Sequence, residues 1–272
     1  MHIEREETDA VLKEKEDKTA KQPASKKEEI VIDIKGLKKS FGNKTVLRNI
    51  SLQLKRGENI VVLGRSGTGK SVTIQCIVGL LKPDGGSLKV FGEEVADMDE
   101  KELKELRLRI GFLFQSGALY DSMTVRENME FPLTRILKLT DQADIDRRVE
   151  EVLSNVGLLE AIDKMPADLS GGMRKRAGLA RTLIVNPEIM LYDEPTTGLD
   201  PITSREISDL ILSIQKKNKT SSLIITHDME CARIVSDRVV IMDDGEYIAQ
   251  GTFNELHKLN NKAVSAYFTD IL

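Results

Sequence analysis

Gly64-Arg65-Ser66-Gly67-Thr68-Gly69-Lys70-Ser71 is the stretch that decides the fold. It matches G-x-x-x-x-G-K-[ST], the Walker A phosphate loop. Its glycines let the backbone curl into a nest of N–H donors around a phosphate. Lys70 sets a cation beside the β- and γ-phosphates, and Ser71 offers a hydroxyl to Mg²⁺. The flanks agree with this reading. Asn59-Ile60-Val61-Val62-Leu63 is a short apolar run rich in β-branched residues, as in a buried parallel strand. Val72 to Leu81 reads as a helix, with Val72, Ile74, Ile77, Val78 and Leu81 apolar. Strand, loop and helix in that order set a helix N-terminus against the anion. A glycine-rich surface turn is the competing reading, and the motifs downstream disfavour it.

A chain of 272 residues has room for one large domain or two modest ones. Hydrophobic residues at 40% and charged residues at 31% are ordinary for a soluble globular protein. Forty basic against 44 acidic residues leave a net charge of −4, which argues against a protein built to grip a nucleic-acid backbone. No stretch approaches the roughly 20 apolar residues that span a bilayer. The start is charged rather than apolar and reads as no signal peptide, so the chain is expected in the cytosol. Cys76 and Cys231 lie far apart in apolar surroundings and are expected as buried, reduced structural thiols.

Residues 1–29 are dominated by Glu, Asp, Lys, Thr, Ala and Gln and are expected to form a disordered charged tail. Ile30 to Ile34 opens the folded region as a strand. Lys38 to Lys44 reads as a turn with Phe41 at its start, and Val46 to Leu54 as the next strand. Leu88 to Gly92 follows the Pro83-Asp84-Gly85-Gly86 turn as another. Asp99 to Ile110 has helical charge patterning, and Gly111 to Gln115 is apolar and strand-like. Thr124 begins a helix. Ile145, Val149, Val152, Leu153 and Val156 share one face of another. Ile189 to Tyr192 and Ser222 to Thr226 read as buried strands, with an amphipathic helix from Ser204 to Lys216 between them. Asp243-Asp244-Gly245 joins two strands as a hairpin. Asn254 to Leu272 reads as a C-terminal helix.

Asp193-Glu194 closes the apolar strand that begins at Ile189. A carboxylate delivered from the C-terminal end of a strand, on the edge that carries a phosphate loop, is the Walker B arrangement. Asp193 is placed on the Mg²⁺ side, and Glu194 is the candidate that polarises the attacking water. Leu169-Ser170-Gly171-Gly172-Met173 supplies a second anion site, with Ser170 as N-cap and glycines at a helix start. Two anion sites on one chain suggest a nucleotide gripped from two sides, which two head-to-tail copies would supply.

With these residues in view, the chain resembles the ATP-binding cassette (ABC) transporter ATPases over about Ile30 to Leu256. Leu169 to Met173 is similar to their signature motif, with Met173 where most cassettes have Gln. Pro195-Thr196-Thr197-Gly198-Leu199-Asp200 resembles the D-loop, and Thr226-His227-Asp228 the switch-histidine region. Gln115 stands in the Q-loop position, and Phe41 in that of the adenine-stacking aromatic. The resemblance implies an α/β fold: a P-loop NTPase ABC cassette with a RecA-like core, an antiparallel β-subdomain and a helical subdomain inserted at about residues 95–177. The cassette would span residues 30–256, and residues 257–272 would form the C-terminal helix.

The same resemblance implies the chemistry. ATP and Mg²⁺ bind the Walker motifs, with Ser71, Asp193 and Gln115 on the metal side. Glu194, His227 and Lys70 are catalytic. Gly64, Arg65, Ser66, Gly67, Thr68, Gly69, Lys70, Ser71, Phe41 and Gln115 hold the nucleotide in one copy. Ser170, Gly171, Gly172 and Asp200 come from the facing copy of a homodimer. Arg65 and Val72 depart from the commoner pattern, and both side chains are expected to point away from the phosphates.

A narrower resemblance, to the cassettes of Mla-type transporters, rests on Phe114 to Leu119, Met123 to Asn128, Gly171 to Arg176 and Asp200 to Thr203. It implies an integral-membrane permease and an MCE-domain lipid-binding protein as partners, phospholipid as cargo, and a peripheral place on the cytoplasmic face of the inner membrane. An importer or exporter of another solute would use the same catalytic residues. A soluble ABC-type ATPase acting on DNA or ribosomes is disfavoured by the single cassette and the lack of long heptads or a Cys cluster. A module that binds without turnover is disfavoured by Glu194 and His227 together.

Overall fold

The computed structural model describes residues 29–268 apart from residue 116. The expected charged tail, save Glu29, and the last four residues lie outside the described residues. Two sheets carry the fold. β1 (Ile30–Phe41), β2 (Lys44–Lys55), β4 (Gly85–Val90) and β5 (Glu93–Glu94) form an antiparallel sheet in the order β2-β1-β4-β5. β3 (Asn59–Gly64), β6 (Ile110–Leu113), β7 (Ile189–Asp193), β8 (Ser221–Thr226), β9 (Arg238–Asp243) and β10 (Glu246–Gly251) form the second, in the order β10-β9-β3-β8-β7-β6. In this sheet β9, β3, β8, β7 and β6 run parallel, and β10 returns antiparallel as the hairpin partner of β9.

Every residue of β3 and of β8 is buried, which is why these strands read as continuous apolar runs rather than alternation. Alternate residues go to opposite faces. Val61, Leu63, Met190, Tyr192 and Ile224 join one core layer, and Ile60, Val62, Leu191, Leu223 and Ile225 join the layer shared with the antiparallel sheet. One consequence positions everything below. The C-terminal ends of β3, β8, β7 and β6 stand side by side, and they carry the phosphate loop, His227, Asp193-Glu194 and Gln115. In a parallel sheet, ligands bind outside those strand ends.

Helix α1 (Lys70–Ile77) follows the phosphate loop. It starts earlier and stops earlier than the predicted Val72–Leu81. The stop is Gly79, at φ 67°, where an added Cβ would lie 2.4 Å from Leu103 Cδ2. α2 (Glu100–Leu108), α3 (Val125–Phe131) and α4 (Gln142–Asn155) follow. Asp99 and Thr124 close capping boxes at the starts of the first two. α4 buries Ile145, Val149, Val152 and Leu153, the face its spacing predicts. α5 (Gly171–Leu183), α6 (Pro201–Asn218) and α7 (Met229–Val235) complete the cassette.

Two further expectations need correction. The turn predicted over Lys38–Lys44 is confined to Gly42-Asn43, because β1 pairs with β2 as far as Phe41 opposite Lys44. The single C-terminal helix is broken into α8 (Phe253–His257) and α9 (Lys262–Ser265). The break falls at Asn261, whose side chain accepts from the Ala263 and Val264 amides and so starts a new helix. Among the described residues, no helix is long and apolar enough to cross a membrane.

Cys76 and Cys231 are both buried and unpaired. Burial pushes their thiols up, to about 11 and about 12, so neither is a nucleophile near neutral pH. Tyr192 is fully buried, and its hydroxyl has no hydrogen-bond partner among the described residues. An unsatisfied buried hydroxyl costs about 1–3 kcal/mol. Tyr192→Phe is therefore expected to raise unfolding free energy by about 1 kcal/mol, read by urea denaturation. A loss of stability would show that the hydroxyl is satisfied.

Candidate active site

A cavity of about 680 Å³ opens at the four strand ends. Gly64, Arg65, Ser66, Gly67, Gly69, Lys70 and Ser71 line it from the phosphate loop, with Gln115, Asp193, Glu194 and His227 from the neighbouring strands. These predicted residues are thus brought together. Gly69 shows why the loop needs its glycine. It sits at φ 105°, and an added Cβ would lie 2.8 Å from Leu47 Cδ2 and 2.9 Å from the Val46 carbonyl oxygen. Thr68 is not on the wall; its hydroxyl folds back to the Arg65 carbonyl at 3.0 Å.

Lys70 is 6% exposed. Its Nζ donates to the carbonyls of Gly64 at 2.6 Å and Arg65 at 3.0 Å, and stands 3.8 Å from Glu194 Oε1. Burial lowers its pKa, against the pull of the Glu194 and Asp193 charges. Ser71 Oγ donates to Asp193 Oδ1 at 3.1 Å. Burial raises the Asp193 carboxyl above its ordinary value, and the adjacent Glu194 charge adds to this. A hydroxyl and a partly buried carboxylate on the wall that carries the phosphate loop are hard oxygen donors of the kind Mg²⁺ takes. The residues present fit that ion.

Glu194 is gripped from several sides. His227 Nδ1 lies 2.8 Å from its Oε2, and Thr197 Oγ1 donates to the same oxygen at 3.1 Å. Its backbone is left-handed, at φ 52°, and its amide donates to the Ile225 carbonyl at 2.8 Å. The Thr196 hydroxyl reaches Asp228 at 2.8 Å, so the loops after β7 and β8 are cross-linked twice. With Nδ1 engaged by the carboxylate, Nε2 is the His227 ring nitrogen left for a ligand.

Other predicted residues lie elsewhere. Ser170 caps α5 as expected, accepting from the Met173 amide at 3.2 Å. Ser170 and Gly171 are exposed, while Gly172 is buried; a Cβ there would lie 2.5 Å from Thr203 Cγ2. None of the three lines the cavity. Asp200 spends its carboxylate on its own helix, accepting from the Ile202 and Thr203 amides and the Thr203 hydroxyl. Phe41 is 47% exposed at the end of β1 and is absent from the wall. Arg65 and Val72, expected to point away from the phosphates, both line the cavity.

The sequence reading missed Val46, Thr197, Met229, Ala266 and Tyr267, which also form the wall. Tyr267 comes from the segment after α9, and its hydroxyl donates to the Met242 carbonyl at 3.3 Å. Its signal, an aromatic after an Asn-capped start, was obscured by reading the C-terminus as one helix. Since Tyr267 and not Phe41 faces the cavity, Tyr267→Ala is expected to raise KM for ATP by about fivefold, as loss of one aromatic contact would. Phe41→Ala should stay within about twofold. The reverse order in steady-state assays would return the base contact to Phe41.

Comparison with known proteins agrees with this geometry. A description of the ABC transporter family matches residues 47–197. The chain is 43% identical over 210 residues to "Probable ribonucleotide transport ATP-binding protein mkl" of Mycobacterium leprae, covering 77% of this chain and 60% of that one. The chain therefore spans about three fifths of that relative's length. It is 38% identical over 261 residues to "Protein TRIGALACTOSYLDIACYLGLYCEROL 3, chloroplastic" of Arabidopsis thaliana, covering 90% of this chain and 75% of that one. Among solved structures, the dimeric post-hydrolysis state of the ATP-binding cassette MJ0796 bound to ADP and Pi superposes with a TM-score of 0.74 at 32% identity. It covers 82% of this chain and 98% of its own. The phosphate loop, the paired carboxylates, the switch histidine and these likenesses converge: the chain belongs to the ABC transporter family, whose ATP-binding cassettes hydrolyse ATP in step with transport.

Proposed function

We propose that this chain is the ATP-hydrolysing subunit of a membrane ABC transporter, and that the transporter moves phospholipids between bacterial membranes in the Mla manner. The observation that carries the ATPase reading is the convergence of Lys70, Ser71, Asp193, Glu194 and His227 on one cavity. Lys70 and the loop amides hold the phosphates. Ser71 and Asp193 hold Mg²⁺, which supplies charge neutralisation on the transferred phosphoryl group. Glu194 takes the proton of the attacking water, and His227 orients that carboxylate through Nδ1 while Nε2 meets the γ-phosphate. Gln115 senses the γ-phosphate from the end of β6. Catalysis of this kind is positioning plus electrostatics.

Ser170 and Gly171 are exposed on the same chain, away from the cavity. That placement supports a head-to-tail homodimer in which each copy closes the other's ATP site. Asp200 contributes to that face from the start of α6, which it caps. A permease in the membrane and an MCE-domain protein complete the assembly, with this chain on the cytoplasmic face. The phospholipid reading is supported by the stretches Phe114 to Leu119 and Gly171 to Arg176 and by an Arabidopsis relative named for a galactolipid. The name of the mycobacterial relative favours a second reading, transport of another solute.

Gentle detergent extraction of the tagged full chain, with mass spectrometry of proteins and lipids, separates the two. A permease with an MCE-domain protein and bound phospholipid is the expected result. A permease with a different substrate-binding protein would keep the ATPase reading and end the lipid one.

A further inference from the structure

One face of α5 runs along the loop that follows β6. Lys175, Gly178 and Arg181 are spaced three apart and share that face. Lys175 Nζ donates to the Gln115 carbonyl. Gly178 meets the loop backbone directly, for a Cβ there would lie 2.5 Å from the Gly117 carbonyl oxygen and 3.0 Å from Gly117 Cα. Arg181 donates to the Ala118 carbonyl and lies 4.4 Å over the Tyr120 ring. The loop held in this way contains two consecutive left-handed residues, Gly117 at φ 79° and Ala118 at φ 49°.

Lys175 does more than hold the loop. Its Nζ also donates to the Glu194 carbonyl at 3.2 Å. One ammonium thus bridges the main chains of the residue placed to sense the γ-phosphate and the residue placed to activate water. The second is itself left-handed at φ 52°. Lys175 is 6% exposed. Burying an ammonium is costly, and an apolar side chain of similar volume would cost less. A cation at this place is explained by the two carbonyls it joins and by the Glu194 and Asp193 charges that favour it.

We propose that Lys175 is a positioning residue for ATP hydrolysis, fixing the backbones of Gln115 and Glu194 relative to each other from the signature helix. It does not line the cavity, so its effect is expected on turnover and not on ATP binding. The assignment rests on Glu194 as the base. A Glu194→Gln variant that keeps its turnover would fail that reading alone, whereas the results below concern Lys175 alone.

The test uses the full chain and three variants, with kcat and KM for ATP, thermal midpoint, and amide hydrogen exchange over residues 114–119 and 193–195. Lys175→Met should lower kcat between about 10- and 100-fold, as displacement of a catalytic group by about 1 Å does, with KM within about twofold. Exchange should rise in both segments. Lys175→Arg, which keeps the charge and donors, should restore kcat to within about threefold of the parent. Gly178→Ala is the second route, pushing the loop off the helix without touching Lys175. It should lower kcat at unchanged KM, with some loss of thermal midpoint from the displaced loop backbone. Parental kcat in Lys175→Met, or in Gly178→Ala should Lys175→Met not fold, would overturn the proposal. A kcat loss matched by the thermal midpoint and not rescued by Arg would do the same.

Discussion

Glu194→Gln is expected to bind ATP as the parent does and to hydrolyse it between about 10² and 10⁴ times more slowly, the range for removing a general base. The geometry says why binding should survive. Glutamine keeps an oxygen that can accept from Thr197 or His227, so the cross-link between the loops after β7 and β8 is shortened by one charge and not dismantled. Lys70, 3.8 Å from the carboxylate, keeps its two loop carbonyls. What is lost is the negative charge proposed to take a proton from water. With hydrolysis stalled, two copies should remain closed around ATP and elute as a dimer in its presence and as a monomer without it. Radiolabelled ATP turnover and size-exclusion chromatography read the two halves of the result. Turnover like the parent's would remove Glu194 from the role of base.

The second large effect tests the shared site. Lys70→Ala removes the cation that meets the phosphates, and a charged hydrogen bond of this kind contributes about 1.5–3 kcal/mol. The loss should be about 10²-fold in kcat/KM. Gly171→Asp puts a like charge where the facing copy should approach the γ-phosphate, and is expected to be as severe. Each variant alone is inactive by this reasoning. Mixed one to one, they form some dimers with one site built from an intact phosphate loop and an intact signature. Turnover should return to about a quarter of the parent's, because about half the dimers are mixed and each carries one good site of two. If each copy worked alone, mixing would restore nothing, and the head-to-tail reading would be wrong.

Much of the candidate site is legible in the sequence, and the reason is local. The phosphate loop, Asp193-Glu194 and His227 sit in short contiguous motifs after apolar strands, where chemistry dictates residue type and spacing. The sheet that gathers them follows from the same strands, whose unbroken apolar runs signal burial on both faces. The misses come from segments distant in sequence or from competing local preferences. Tyr267 reaches the wall only because the chain breaks at Asn261 and turns back. That break was written in Asn260-Asn261, a pair better suited to capping than to a helix interior. Asp200, expected as a contact for the facing copy, has a second task that its sequence also signals, since Asp followed by Pro is a helix start and its carboxylate accepts from the Ile202 and Thr203 amides. Lys175 carried no signal, since a lysine in a basic helical run looks like a solvated face until the loop beside it is placed.

The left-handed backbone at Glu194 has a consequence for how this protein can change. A glutamate gains nothing from that conformation, which glycine or asparagine adopts at less cost, and strain of this kind is commonly about 1–3 kcal/mol. Most drift at this position that relaxed the main chain would therefore give a sturdier protein without a base. Selection for durability alone would erode the motor, and selection for work must hold the position against it. Copies that have lost their transport duty should be recognisable by this residue: they would keep the phosphate loop, still clasp nucleotide, and outlast their working relatives in heat.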